Sequence, residues 1–169
     1  NVRSYARALA QAAYPFLIFD LDVGEISRQQ DRSMERYFSS TLRYPSNVFF
    51  INAEQMEIAR AVLGRGVFSG RHNIGFWAWE LAKYPPAWHN AFDLVDEVWV
   101  PSKFVREAIG AATGKPVLCM PTPVEFKPPQ GMDRAHFGLS QDDFVFLFKI
   151  RLVNRVRVRS KSRNCVNEE

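Results

Sequence analysis

Apolar and polar positions change period several times along the chain, and each change marks an element. In VRSYARALAQAA (2–13), Val2, Tyr5, Leu9 and Ala12–Ala13 recur at helical spacing with Arg3 and Arg7 between them, which predicts a helix. PFLIFD (15–20) is a short, continuously apolar run, the pattern of a strand buried on both faces. Residues 24–46 are polar and weakly patterned and read as a loop holding one turn of helix. NVFFIN (47–52), HNIGFWAW (72–79), EVWVP (97–101) and PVLCMP (116–121) are further apolar strands. Between them lie AEQMEIARAVLG (53–64), a helix closed by Gly64, and PPAWHNAFDL (85–94), a short helix with proline in its first turn. SKFVREAIGAATG (102–114) is a helix with Ser102 as its N-cap.

Strand and helix therefore alternate, and the strands are apolar on both faces. That combination predicts a doubly wound α/β domain over residues 1–121, with a mostly parallel, Rossmann-like sheet between helices. Sheets of this kind bind ligands beyond the carboxyl ends of their strands. Chemistry is accordingly expected in Asn52–Gln55, Trp77–Glu80 and Pro101–Lys103. Past Pro121 the texture changes. Residues 122–143 hold three prolines and no sustained period, as an interdomain linker does. FVFLFKI (144–150) then reads as the opening buried strand of a second domain, and residues 151–169 as a basic, disordered tail.

Composition narrows the class. A hydrophobic fraction of 47% with 24% charged residues is that of a chain able to build a packed core. No apolar run approaches the ~18 residues of a membrane span. Cys119 and Cys165 are too few for a disulfide framework and read as reduced thiols of a cytoplasmic protein. The net charge of +4 is unevenly distributed. Residues 149–169 carry seven Lys or Arg and two Glu, whereas the rest of the chain carries 15 basic and 16 acidic residues. The body is neutral, so it lacks the charged face of a nucleic-acid-binding domain. His72, His89 and His136 stand apart, and no metal-binding spacing, dinucleotide fingerprint or Walker loop is present.

The stretch NIGFWAWELAKYPPAWHNAFDLVDEVWVPSKFVREAI (73–109) resembles a segment of bacterial group-1 glycosyltransferases. W-x-W-E followed by P-x-x-W and V-D-E-V-W-V-P-S carries the likeness, which continues through KPVLCMPTPVE (115–125) and FGLSQDDFVFLF (137–148). The resemblance implies a two-domain GT-B enzyme that moves a sugar from a nucleotide-sugar donor to a saccharide or lipid-linked acceptor. It further implies that the donor is a co-substrate, that no metal or other cofactor takes part, and that the enzyme works in the cytoplasm, with peripheral association at the inner face of the membrane. On this likeness, residues 1–121 correspond to the acceptor-side domain, whose first strand and glycine-rich loop precede Asn1. The family's donor-phosphate loop has no counterpart in KIRLVNRVRVRSKSRNCVNEE (149–169), so no donor-site residue is carried over.

Six residues are the candidates for the site. Glu80 follows the third predicted sheet strand directly, where a carboxylate can hydrogen-bond sugar hydroxyls or take a proton. The competing reading is a surface glutamate. Trp79, at the strand's end, offers a flat ring for stacking on a sugar, while Trp77, Trp88 and Trp99 read as core. Asn52 and Glu54 follow a neighbouring strand. Asn52 also serves as an N-cap, with Gln55 completing a capping box. Ser102 is first an N-cap, and together with Lys103 it offers an anion or hydroxyl contact at a helix start. Asp96 and Glu97 read as caps of the preceding turn.

The rival from another functional class is a stand-alone α/β binding domain that uses its tail on nucleic acid. RVRVRSKSR (155–163) alternates Arg with Val before turning polar, and three arginines on one face give weak, salt-sensitive phosphate binding. Removing residues 151–169 should abolish any nonspecific DNA binding in a gel-shift assay and leave the circular dichroism of the fold unchanged. Binding that survives the deletion, or that persists at about 200 mM salt, would favour the rival.

Overall fold

The computed structural model describes residues 2–21, 32–124, 126 and 130–146. The chain divides into two compact units, Asn1–Glu125 and Phe126–Glu169. In the first, helix α1 (Val2–Gln11) precedes strand β1 (Ser46–Phe49), helix α2 (Met56–Leu63), strand β2 (His72–Phe76), strand β3 (Glu97–Val100), helix α3 (Lys103–Gly110) and strand β4 (Val117–Cys119). Three-residue 3-10 turns lie at Glu35–Tyr37, Ala53–Gln55 and Arg65–Val67, and a longer 3-10 helix spans Pro86–Leu94.

The four strands form one parallel sheet in the order β1-β2-β3-β4. The α/β class with a parallel sheet is thus as the alternation predicts. Because each strand pairs with the next in sequence, right-handed connections must all cross the same face. The core shows this directly. Phe49, Trp77, Val98 and Val100 from the sheet side pack with Ala53 and Met56, with Ala91 and Phe92, and with Val105 and Ile109. The pairing of Gly75 with Phe49 and Val98 sets that face, and the register places Phe50, Ile74, Phe76, Trp99 and Leu118 on the other. Helix α1 covers part of this second face. Its Tyr5 ring stands 5.3 Å from Phe50 and 5.2 Å from Phe76, and its hydroxyl donates to the Met120 carbonyl at 2.6 Å.

A polar network fixes the amino edge of the sheet. The Asn73 N–H donates to Asp96 Oδ2 at 2.7 Å, and the Asp96 N–H returns a bond to the Asn73 carbonyl at 2.7 Å. The Asn73 amide is buried, donates to the Phe68 carbonyl and accepts from Asn47 Nδ2 at 2.9 Å. Asp96 therefore locks β2 to β3 and does not simply cap the turn before β3. Lys115 closes the carboxyl end of the Pro86–Leu94 helix, donating to the Phe92 and Val95 carbonyls at 2.6 Å each.

Several elements differ from their sequence pattern. PFLIFD does not enter the sheet: Ile18 makes one isolated parallel bridge with Phe38, and no residue of 15–20 is buried. Its apolar side chains find local partners instead, Phe16 stacking on Tyr37 with centroids 4.3 Å apart. The strand expected over 72–79 ends at Phe76, although the Trp77 N–H still reaches the Trp99 carbonyl at 2.9 Å. The predicted helix over 53–64 opens as a 3-10 turn before α2 and stops at Gly64, whose φ of 77° suits a residue without a Cβ. Helix α1 is followed by Ala13 at φ 51°, where the chain turns without a glycine.

The second unit is held by local bonds. Arg134 Nε donates to the Ser140 carbonyl at 2.8 Å, and its guanidinium also reaches the Asp143 carbonyl. Phe144 and Phe146 are each 73% exposed, residues 144–146 belong to no strand, and 147–150 lie outside the described residues. The tail 151–169 and Cys165 lie outside them as well.

At Gly75 the core leaves no room for a side chain. A Cβ there would fall 2.6 Å from Cε2 and Nε1 of Trp77, two residues along on the same face. Gly75→Ala should therefore lower stability by about 1–3 kcal/mol in urea unfolding, as overpacking does. In a Trp77→Phe background, which removes the indole atoms in question, the same change should cost at least about 1 kcal/mol less. Simple additivity would show that the contact is not the constraint.

Candidate functional site

The carboxyl edge of the sheet is where the connections after β1, β2 and β3 emerge. One bond ties the first two together: the Ala78 N–H donates to Asn52 Oδ1 at 3.1 Å. Asn52 is also the N-cap of the turn before α2, and its own N–H donates to Gln55 Oε1 at 3.3 Å in a capping box. Asn52 thus holds a helix start and a neighbouring strand end at once. Beside this stitch lies a cleft of about 390 Å³. It is lined by Val2, Phe50, Ile51, Asn52, Gln55, Phe76 and Ala78. Phe50 and Phe76 stack with centroids 5.0 Å apart beneath Tyr5.

Glu54, Trp79, Glu80, Ser102 and Lys103 do not line that cleft. Trp79 joins an aromatic group instead. Its ring meets Trp88 edge-on at 5.0 Å and Tyr84 at 6.2 Å, and its indole N–H donates to the Lys83 carbonyl at 2.9 Å. Trp77, at 1% exposure, lies deeper in the same group, against Phe92 at 5.3 Å. Trp88 packs against the core, whereas Trp99 is half-buried on the opposite face and donates to Glu97 Oε1 at 2.9 Å. Glu80 follows this aromatic group on the exposed loop before Tyr84. Ser102 caps α3, its Oγ accepting from the Val105 N–H at 3.3 Å, and Lys103 next to it is exposed.

Glu54 is exposed, and its negative charge bears on Tyr84. Burial is the larger influence on that phenol, and together the two push its pKa well above the ordinary tyrosine value. Among the described residues, no group of three His, Cys, Asp or Glu side chains is placed to hold a metal ion, and no helix is long and apolar enough to cross a membrane. His72 comes nearest to a cluster, 3.7 Å from Asp96 and 3.6 Å from Glu97, but at the amino edge of the sheet.

The structure therefore joins Asn52 to the residue before Trp79; Glu54 lies in the turn that Asn52 caps, Glu80 follows Trp79, and Ser102 and Lys103 lie at the start of α3. Sequence reasoning missed Phe50 and Phe76 as site residues. Their signal was present in the alternation of β1 and β2, which puts them on the face away from the crossing helices. No family model, no curated protein and no solved structure matches this chain.

The Tyr84 environment gives a pH dependence with a fixed sign. In the unfolded chain a tyrosine ionises near pH 10. In the fold the raised pKa keeps the proton bound, so this contribution is complete below about pH 10 and is lost as pH climbs above it. Thermal melts should show stability falling between about pH 10 and 12, and Tyr84→Phe should shrink that fall. At neutral pH the variant should lose no more than about 1 kcal/mol, since the hydroxyl makes one long bond, 3.3 Å to the Trp88 carbonyl. An unchanged alkaline slope would remove Tyr84 as its source.

Proposed function

We propose that this chain carries the acceptor-side half of a GT-B glycosyltransferase. In this reading the parallel sheet is one of two Rossmann-like domains, residues 122–143 lead toward the donor-binding half, and the enzyme moves a sugar from a nucleotide-sugar donor to a saccharide or lipid-linked acceptor. One observation carries the proposal. The run from Asn73 to Ile109, whose W-x-W-E, P-x-x-W and V-D-E-V-W-V-P-S elements resemble group-1 glycosyltransferases, spans β2, β3 and the carboxyl edge between them. That edge is where a parallel α/β sheet places its ligands.

Each candidate takes a role consistent with its setting. Glu80, exposed on the loop after β2, accepts a hydrogen bond from an acceptor hydroxyl or takes its proton as the glycosidic bond forms. Trp79 has its indole N–H and one ring edge engaged by the protein, so it positions the loop that carries Glu80. Asn52, which lines the cleft, and Glu54, exposed two residues on, meet the acceptor. Ser102 and Lys103, at the start of α3, meet a hydroxyl or an anionic group of the substrate.

The test pairs stability with transfer. Glu80→Gln should change thermal stability by less than about 1 kcal/mol, because an exposed loop side chain has little packing to lose. In a protein where this segment is joined to a donor-binding domain, the same change should reduce radiolabelled-sugar transfer at least about tenfold, equivalent to roughly 1.4 kcal/mol of barrier. Undiminished transfer would make the carboxylate structural and move the site elsewhere on the edge.

A further inference from the structure

Helix α1 is poorly equipped to persist by itself. It has ten residues, fewer than the ~12–15 that an isolated helix needs in water, so it depends on what it packs against. No acidic residue lies in its first turn and no basic residue in its last, so the helix supplies no charge to complement its own dipole. Of its residues, Tyr5 and Ala6 are buried. The Tyr5 ring lies 5.3 Å from Phe50 and 5.2 Å from Phe76, and its hydroxyl donates to the Met120 carbonyl at 2.6 Å. Arg3, Arg7 and Gln11 have partners as well, but Arg7 and Gln11 are exposed, where polar pairs contribute little.

The carboxyl end of α1 is strained. The Tyr14 N–H donates to the Leu9 carbonyl at 2.9 Å and the Ala13 N–H to the Ala10 carbonyl at 3.1 Å, the paired bonds of a Schellman cap. Ala13 takes the left-handed position of that cap with φ 51°, where its Cβ carries a steric cost that glycine would avoid. Among the described residues it is the one non-glycine residue with positive φ. Every residue from Gln11 to Pro15 is exposed, and the chain next attaches where Phe16 stacks on Tyr37. Unravelling the last turn therefore relieves strain and displaces no buried side chain. The other end of α1 reaches the carboxyl edge of the sheet, where Val2 lines the cleft together with Asn52.

We propose that α1 is a releasable strap. It undocks and unravels as a unit while the four-stranded sheet stays folded, with Tyr5 as its pin and Ala13 as its strained hinge. Release uncovers Phe50 and Phe76 and takes Val2 away from the cleft, so the strap sets how open the carboxyl edge is. Strap release is independent of the glycosyltransferase reading and of what the cleft holds.

Native-state hydrogen exchange on the 169-residue chain measures this release, because a local opening is more frequent than global unfolding. The α1 amides of Leu9, Ala10 and Gln11 should be at least about tenfold less protected than those of Trp77 and Val98, which donate to the Trp99 and Pro116 carbonyls in the sheet. Ile109→Val alters the core on the opposite face of the sheet. It should lower protection of Trp77 and Val98 at least about threefold and change the α1 amides by less than about twofold. Tyr5→Ala should lower α1 protection at least about tenfold and leave a folded sheet in which Trp77 and Val98 stay protected. Ala13→Gly, which removes the strained Cβ, should raise α1 protection at least about twofold. Equal protection of α1 and the sheet, or a parallel fall of both in Ile109→Val, would mean that α1 opens only when the whole domain does, and overturns the proposal. A Tyr5→Ala chain that does not fold overturns it too, because the sheet must stand without its strap. Unchanged or lower α1 protection in Ala13→Gly overturns the strained hinge.

Discussion

The indole of Trp77 occupies the space that a side chain at position 75 would need, and the domain is packed around that fact. Strand periodicity brings residues 75 and 77 to the same face, so only glycine at 75 lets so large a ring lie back over its own strand. From there the ring meets Phe92 and Tyr84, which draws the Pro86–Leu94 helix onto the sheet. Close packing leaves Trp77 Nε1 buried with no hydrogen-bond partner among the described residues. An unpaired indole N–H is a real penalty of about 1–3 kcal/mol, so the gain from burying the aromatic surface must exceed it.

Sequential strand order has a second consequence. With every crossing connection on one face, the other is left to α1, a ten-residue helix that contributes only Tyr5 and Ala6 as buried residues. Val48 and Leu118 on that face stay 37% and 44% exposed. Partial cover is also what makes the cleft, because Phe50 and Phe76 are shielded from behind by Tyr5 while the space next to Val2 remains open. The cleft thus follows from topology and from one short helix, not from a dedicated loop.

These causes explain what the sequence displayed and what it concealed. The four sheet strands were legible as short, mostly apolar runs bounded by turn signals, although only β2 and β3 have a neighbour on both sides. PFLIFD has the same composition but forms a single bridge, since a run of apolar residues records a tendency to be buried and not the partner that buries it. Asp96 was misread because its role is a reciprocal bond to Asn73, 23 residues earlier, which no local pattern encodes. The Asn52–Gln55 capping box was legible because it is local. The bond from Asn52 to Ala78, 26 residues away, was not. Phe50 and Phe76 carried a periodic signal, but a face can be assigned to helix or cleft only once the strand order is known.

The two ends of the sheet are built for different tasks. At the amino edge, reciprocal bonds between Asn73 and Asp96, the Asn47 amide and the Arg71 guanidinium on the Tyr44 carbonyl fix the starts of β1, β2 and β3. At the carboxyl edge the side-chain bond between Asn52 and Ala78 spans the ends of β1 and β2, and past the half-buried Trp79 the chain runs into an exposed loop. Local opening is governed by how many buried contacts and bonds a segment must break. Side-chain hydrogen bonds between strands are therefore concentrated at the amino edge, whereas the loop after Ala78 is held by the packing of Trp79 with Tyr84 and Trp88 and by the Trp79 indole bond to Lys83. The carboxyl edge thus carries the stacked rings of Phe50 and Phe76 beside one side-chain amide, Asn52, whose Oδ1 is held by a backbone N–H.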